Sequence, residues 1–302
     1  MATIYYKDRA TGELKKEKVY GKFFLEALYG SSLLARLFSV IFLPIISHIP
    51  FFSHFYGRRQ KGKKSRLKII PFIRDFHVDT TEFVDPVESF SSFNDFFIRK
   101  LKPNARPIAS GDSIAVLPAD GRFLAFQDLT KVEGFYVKGE KFDLRCLLRD
   151  EFLFDLYKKG SMLIARLCPT DYHRFHFPCT CTPGKSQLIN GPLFSVNPIA
   201  LRKHISILNE NKRMLTLLES HLFGKIAYIE VGATCVGSIQ QTFTPNKTSA
   251  KGEEKGYFEF GGSCLILLFE PGRIQFDQDL IEASSEMIET YAKMGEPLGF
   301  CK

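Results

Sequence analysis

The sequence predicts an α+β fold, a β-rich core (residues 76–302) preceded by a helical, Phe-rich and polybasic N-terminal region (residues 1–75). Three observations carry this. Strand-like runs dominate beyond residue 75. They do not alternate with helices as a wound βαβ sheet requires. Ahead of them, residues 37–57 contain no Asp, Glu, Lys or Arg and are followed by RRQKGKKSRLK at 58–68, seven basic residues without an acid. At 302 residues and 45% hydrophobic, the chain can bury a full core.

The N-terminal region comes first. MATIYYKDRATGELKKEK has no apolar segment behind a short basic head, so no cleavable signal peptide is expected. Residues 37–57 are nominally long enough to cross a bilayer core of roughly 30 Å. Pro44 and Pro50 interrupt a continuous helix there, at about 3 kcal/mol each in a helix interior, and His48 and His54 add polarity. With KFFLEALYGSSLLARLF upstream, an amphipathic helical element on an anionic membrane surface is expected; a helical cap packed on the core is the alternative. The net charge of +8 falls to about +1 without the basic run, so the charge is a local patch. The run lacks interleaved aromatics, and nucleic acid is excluded as a partner. Seven cysteines without a dense pattern point to a reducing compartment.

In the core, IAVLP (114–118), FLAFQ (123–127), SMLIARLC (161–168), AYIEVGATCVGSIQQTF (227–243) and YFEFGGSCLILLFEPG (257–272) read as strands. Two segments read as helices. One runs from Asp143, an N-cap, to Gly160; the other is DLIEASSEMIETYAKMG, with Leu280, Met287, Ile288, Tyr291 and Met294 on one face before Gly295. Thirty Phe and no Trp suit either lipid contact or an ordinary core.

Three places can carry chemistry. Asp120 and Gly121 follow a short strand, where Asp-Gly is the strongest hairpin-turn signal. LCPTDYHRFHFPCTC (167–181) gathers Tyr172, His173 and His176. His173 or His176 can serve as an acid or base; the competing zinc site of His173, His176, Cys179 and Cys181 suffers from a C-x-C spacing tighter than usual. The third place is Ser263 behind Gly261 and Gly262, glycines that interrupt a strand-like run and read as a strained elbow within it. A hydroxyl nucleophile needs a base, and the base an orienting carboxylate; Ser263, a histidine of DYHRFH and Asp120 supply the three types. A lipid hydrolase could use the same types, but GGSC lacks the G-x-S-x-G elbow.

FNDFFIRKLKPNARPI (93–108), PADG (118–121), DYHRFHFP (171–178), GPLFSVNP (191–198), VGATCVGSI (231–239), FGGS (260–263) and KMGEPLG (293–299), taken in order, resemble the pyruvoyl-dependent phosphatidylserine decarboxylases. The resemblance implies a proenzyme that cuts itself between Gly262 and Ser263, leaving a large chain (1–262) and a small chain (263–302) as a heterodimer, with further homodimerisation left open. It implies Asp120, His176 and Ser263 as the self-processing triad, and a covalent pyruvoyl group formed from Ser263 as the cofactor, with no metal. It further implies decarboxylation of phosphatidylserine to phosphatidylethanolamine through a Schiff base, with His173 handling substrate and proton return and Tyr172 beside it. A peripheral position on the cytoplasmic side of the cell membrane follows from the same likeness. One departure is recorded: the family usually has Thr or Ser after the cleavage-site serine, and here Cys264 follows.

Overall fold

The structure, a computed structural model, describes residues 4–21, 50–131, 136–137, 140–201, 205–233, 239–261 and 263–302. Lys22, Pro44 and His48, the middle of the segment at 231–239, and Gly262 lie outside the described residues.

The architecture follows from two strands too apolar to face water on either side. β7 (Ser161–Leu167) and β15 (Ser263–Phe269) are buried at every position, and they pair antiparallel from Ser161–Phe269 to Leu167–Ser263. Around them, among the described residues, forms a ten-stranded sheet in the order β10 (Gln187–Ile189), β11 (Arg213–Ser220), β12 (Gly224–Val231), β15, β7, β4 (Gly121–Phe126), β17 (Glu289–Ala292), β1 (Tyr5–Asp8) and β2 (Leu14–Lys16), with β9 (Thr182–Pro183) on β11. Only β1 and β17 run parallel within it.

Alternation along the strands supplies two cores. Leu163, Ala165, Leu265, Leu267 and Phe269 face one side. There they meet two three-stranded sheets, β13 (Ile239–Gln241) with β14 (Glu254–Phe258) and β8 (Arg174–His176), and β16 (Ile274–Phe276) with β18 (Pro297–Cys301) and β3 (Ile114–Val116). Met162, Ile164, Ile266 and Leu268 face the other side, covered by Leu147, Leu148, Leu153 and Tyr157. Fully burying each such side chain stabilises the fold by roughly 1.5–3 kcal/mol. A third core is almost wholly aromatic: Phe72, Phe83, Phe90, Phe93, Phe96, Phe97 and Phe260. Much of the phenylalanine excess is therefore interior.

Several expectations change. The N-terminal region is not helical throughout: β1 and β2 form an antiparallel pair that extends the main sheet, because Tyr6 and Glu17 have partners there that a detached helix would lack. Helices occur at α1 (Pro50–Lys61) and α2 (Ile69–Phe76). Pro50 opens α1, where its missing N–H breaks no helical bond. Asp120–Gly121 is not a hairpin turn, since β3 pairs with β18 while β4 pairs with β7 and β17. The helix expected from Asp143 to Gly160 is two, α3 (Leu144–Leu148) and α4 (Glu151–Tyr157). Asp143 does cap the first, and Arg149 in the left-handed region with Asp150 as a second cap makes the break. The last helix stops at α5 (Gln278–Ser285); Met287 is left-handed, and Tyr291 belongs to β17. Finally, Gly261 does not bend a single strand. It lies between β14 of a small sheet and β15 of the large one.

Candidate active site

Three chain segments converge at the end of β7. Ser263, first residue of β15, stands opposite Leu167, last residue of β7. Asp120 precedes β4, which flanks β7 on its other side. From Leu167 the chain turns through Cys168–Asp171 and returns as Tyr172, His173 and β8, ending at His176. The His176 amide donates to the Pro118 carbonyl at 2.8 Å, which ties the returning strand to the segment carrying Asp120. The residues singled out in sequence are thus gathered at one end of the sheet, apart from Gly262.

Local geometry explains two glycines. A Cβ on Gly121 would lie 3.0 Å from the Arg166 carbonyl oxygen of β7, so the strand after Asp120 approaches closely only without a side chain. Gly261 has φ +147°, a conformation side chains resist, in the joint before Ser263.

The candidate reactive atoms are buried, and among the described residues they are unpaired. Ser263 is 0% exposed and its Oγ has no hydrogen-bond partner among the described residues. His176 is stacked on Tyr172, ring centroids 5.7 Å apart, with Nδ1 unpartnered. Burial depresses its pKa to about 4, against the pull of Glu254 and Asp120, whose charges favour the imidazolium. His173 lies 3.9 Å from the Phe97 ring centroid, and its Nδ1 is 3.0 Å from the Asp171 carbonyl. A carbonyl only accepts, so Nδ1 carries the proton and Nε2, without a partner, presents a lone pair. Burial holds this imidazole neutral, with a pKa of about 3. Burial likewise pushes the Tyr172 phenol up and the Cys264 thiol to about 12, so neither is ionised at neutral pH.

Asp120 is held differently from what the triad reading expects. Arg106 Nε reaches Oδ1 at 2.8 Å, Arg106 Nη2 reaches Oδ2 at 2.5 Å, and the Met294 amide donates to Oδ1 at 2.9 Å. Among the described residues no hydrogen bond joins Asp120 to His176 or His176 to Ser263, so Asp120 acts on His176 through its charge.

Sequence reasoning did not single out the residues that hold this end together. Arg122 donates to Asp171 Oδ2 at 2.6 Å, and the same oxygen accepts from the Cys168 amide at 2.6 Å, fixing the turn that presents Tyr172 and His173. Arg99 donates through Nη2 to the carbonyls of Thr170 and Asp171, both at 3.2 Å. Their signal was the density of arginine in RKLKPNARPI and DGRF, unreadable without the partners. Beside this end lies a cleft of ≈ 380 Å³ whose wall includes Phe76, Phe83, Arg99, Asp120 and Tyr172. No group of three His, Cys, Asp or Glu is placed to hold a metal among the described residues.

A buried serine hydroxyl and two neutral imidazoles at the end of an antiparallel sheet define a site for acid–base and nucleophilic chemistry. Residues 93–300 match the family described as phosphatidylserine decarboxylase. The chain is 47% identical over 294 residues to the phosphatidylserine decarboxylase proenzyme of Chlamydia pneumoniae, covering 97% of this chain and 96% of that one. It is 46% identical over 299 residues to the protein of that name from Chlamydia caviae, covering 99% and 98%. The chain belongs to the phosphatidylserine decarboxylase family, and so to the decarboxylating enzymes.

Proposed function

We propose that the chain is a proenzyme that severs its own backbone between Gly262 and Ser263 and then decarboxylates phosphatidylserine to phosphatidylethanolamine. The observation that carries this is the buried, unpartnered Ser263 Oγ next to Gly261 at φ +147°, in a family whose relatives are named proenzymes. An idle buried hydroxyl costs about 1–3 kcal/mol, which makes retention without a task unfavourable. His176, neutral and with Nδ1 free, takes the hydroxyl proton, and the Asp120 charge stabilises the imidazolium that results. Oγ attacks the carbonyl carbon of Gly262, the C–N bond breaks as the nitrogen is protonated, and an ester joins the two chains. Loss of the Ser263 α-proton expels the Gly262 carboxylate, and water then replaces nitrogen, releasing ammonia.

The residues fit the pyruvoyl group this leaves at position 263: the position is dry, Cys264 is protonated, and Leu167, its partner on β7, leads into the turn that carries His173 and β8. When formed, that group supplies an electron sink for the carbon–carboxylate bond. His173, neutral and with the Nε2 lone pair open, takes a proton from the ammonium group of the incoming substrate and returns it to the carbon that loses CO2. Tyr172 lines the cleft that the substrate enters.

The reading extends to place. All seven basic residues between Arg58 and Lys68 are exposed. Leu67 within this run is 81% exposed and Ile70, just beyond it, 61%, two apolar side chains beside the charge. Such a ridge suits a peripheral position on an anionic leaflet, at about 1 kcal/mol per basic residue near the surface. No helix among the described residues is long and apolar enough to cross a membrane. Reversing Lys63, Lys64 and Lys68 to Glu is expected to weaken sedimentation with anionic vesicles while self-cleavage continues; unchanged binding removes the electrostatic part.

The deciding experiment is intact mass measurement under denaturing conditions. Two chains are expected, the smaller running from position 263 to Lys302 with a keto group in place of its amine, and Ser263→Ala should leave one uncut chain. An uncut chain that turns over phosphatidylserine would overturn the reading.

A further inference from the structure

The cleft beside Tyr172 is lined by six cationic and five carboxylate side chains, so its charge is nearly balanced overall and the pairing decides what remains. Of its three buried arginines, Arg106 is paired with Asp120 and Glu82 and Arg122 with Asp171 and Glu17. Arg99 forms no ion pair with a carboxylate among the described residues, though the charges of Asp120 and Asp171 reach it. Its guanidinium is stacked near Phe83 and Phe96, 5.0 Å from each ring centroid, and only Nη2 is bonded, to the two carbonyls of the catalytic turn. Nε and Nη1 have no partner among the described residues. An uncompensated buried cation is expensive unless a ligand anion completes it.

We infer that Arg99 receives the phosphodiester of the lipid headgroup, a deepening that rests on the decarboxylase reading above. Phosphatidylserine brings two anions, and the chemistry assigns them. A carboxylate about to leave as CO2 is better kept away from a cation, because pairing stabilises the ground state and not the transition state. The phosphodiester keeps its charge throughout, so a fixed arginine beside it strengthens substrate and transition-state binding alike. Arg99 is placed for this division. It touches Thr170 and Asp171, the residues immediately before Tyr172 and His173, and the serine headgroup links phosphate to amine through a few bonds only. Ile70 of the exposed ridge and Phe76 of the cleft wall lie on the same helix, α2.

The test uses the full chain carrying Ser263→Ala, with and without Arg99→Gln, so that binding is read without turnover. Calorimetric titration with glycerophosphoglycerol, a phosphodiester lacking amine and carboxylate, should show affinity about ten- to hundredfold weaker in the Arg99→Gln chain, the loss of one charge-assisted contact. Dihexanoyl phosphatidylglycerol should bind more tightly than the water-soluble diester, and inorganic phosphate more weakly. Inorganic phosphate bound as tightly as either would overturn the lipid assignment. In the enzyme with native Ser263, Arg99→Gln should raise KM for a short-chain phosphatidylserine by a similar factor. A fall in kcat at constant KM would overturn the proposal. If Arg99→Gln does not fold, the Ser263→Ala chain alone decides: no measurable diester binding sinks the assignment. Failure of self-cleavage would sink the reading of the previous section and leave these titrations readable.

Discussion

Two adjacent rungs of one strand pair face opposite ways. On β7 and β15, Arg166 stands opposite Cys264 and Leu167 opposite Ser263, so successive pairs look to the two faces of the sheet. Around Arg166 every nitrogen is used: Nε and Nη2 bond Glu289, and Nη1 and Nη2 bond Glu17. At Ser263 the pattern is reversed: among the described residues its Oγ is idle, as are His176 Nδ1 and His173 Nε2 on the segment that follows Leu167. Both rungs are buried, so the difference is not exposure. One rung uses polarity to fasten β17 and the residue after β2 to the sheet; the other leaves its hydroxyl uncommitted, as the proposed self-cleavage requires.

The largest effect that would test this contrast comes from the uncommitted side. His176→Gln keeps a polar side chain without a base, and the rate of self-cleavage, followed on denaturing gels, should fall by about 10² to 10⁴ with the melting temperature little changed. An unaltered rate would remove His176 as the base. On the committed side, Glu17→Gln leaves Arg166 and Arg122 short of a carboxylate, and breaking such a buried pair costs about 3–5 kcal/mol. Urea unfolding should report that loss while the chain still cuts itself; cutting abolished at undiminished stability would dissolve the contrast. The smallest effect is a slope with pH. His173 and His176 have folded pKa values of about 3 and about 4, below their ordinary 6.5. Between those limits the unfolded chain binds more protons, so stability must decline as pH falls through 6.5 toward 3. His173→Gln should flatten part of that decline, and an unchanged slope would show that His173 is not held neutral.

The same contrast marks what the sequence made legible. Ser161–Leu167 and Ser263–Phe269 were readable as strands because both of their faces are apolar, and no partner need be known to see that. Ser263, His176, His173 and Asp120 could be picked out by type and by likeness to a family. Their arrangement could not. Asp-Gly reads alike at a hairpin and at the start of β4, and only long-range pairing separates the two. The apolar positions from Leu280 to Met294 fit a helical face, yet Tyr291 is claimed by strands on both sides of β17. Arg106 grips Asp120 across 14 positions, and Arg166 reaches Glu17 across 149, distances over which a single sequence holds no signal.

Strand β15 is paired with β7 along its whole length and with β12 from Cys264 to Phe269, with every residue buried. A scission just ahead of it therefore frees nothing. The fragment starting at Ser263 could depart only by unzipping two ladders and wetting Leu265, Leu267 and Phe269, so the nicked protein should elute from a sizing column as one particle. Its two halves would come apart in denaturant alone, and the new chain terminus would stay riveted where the backbone parted.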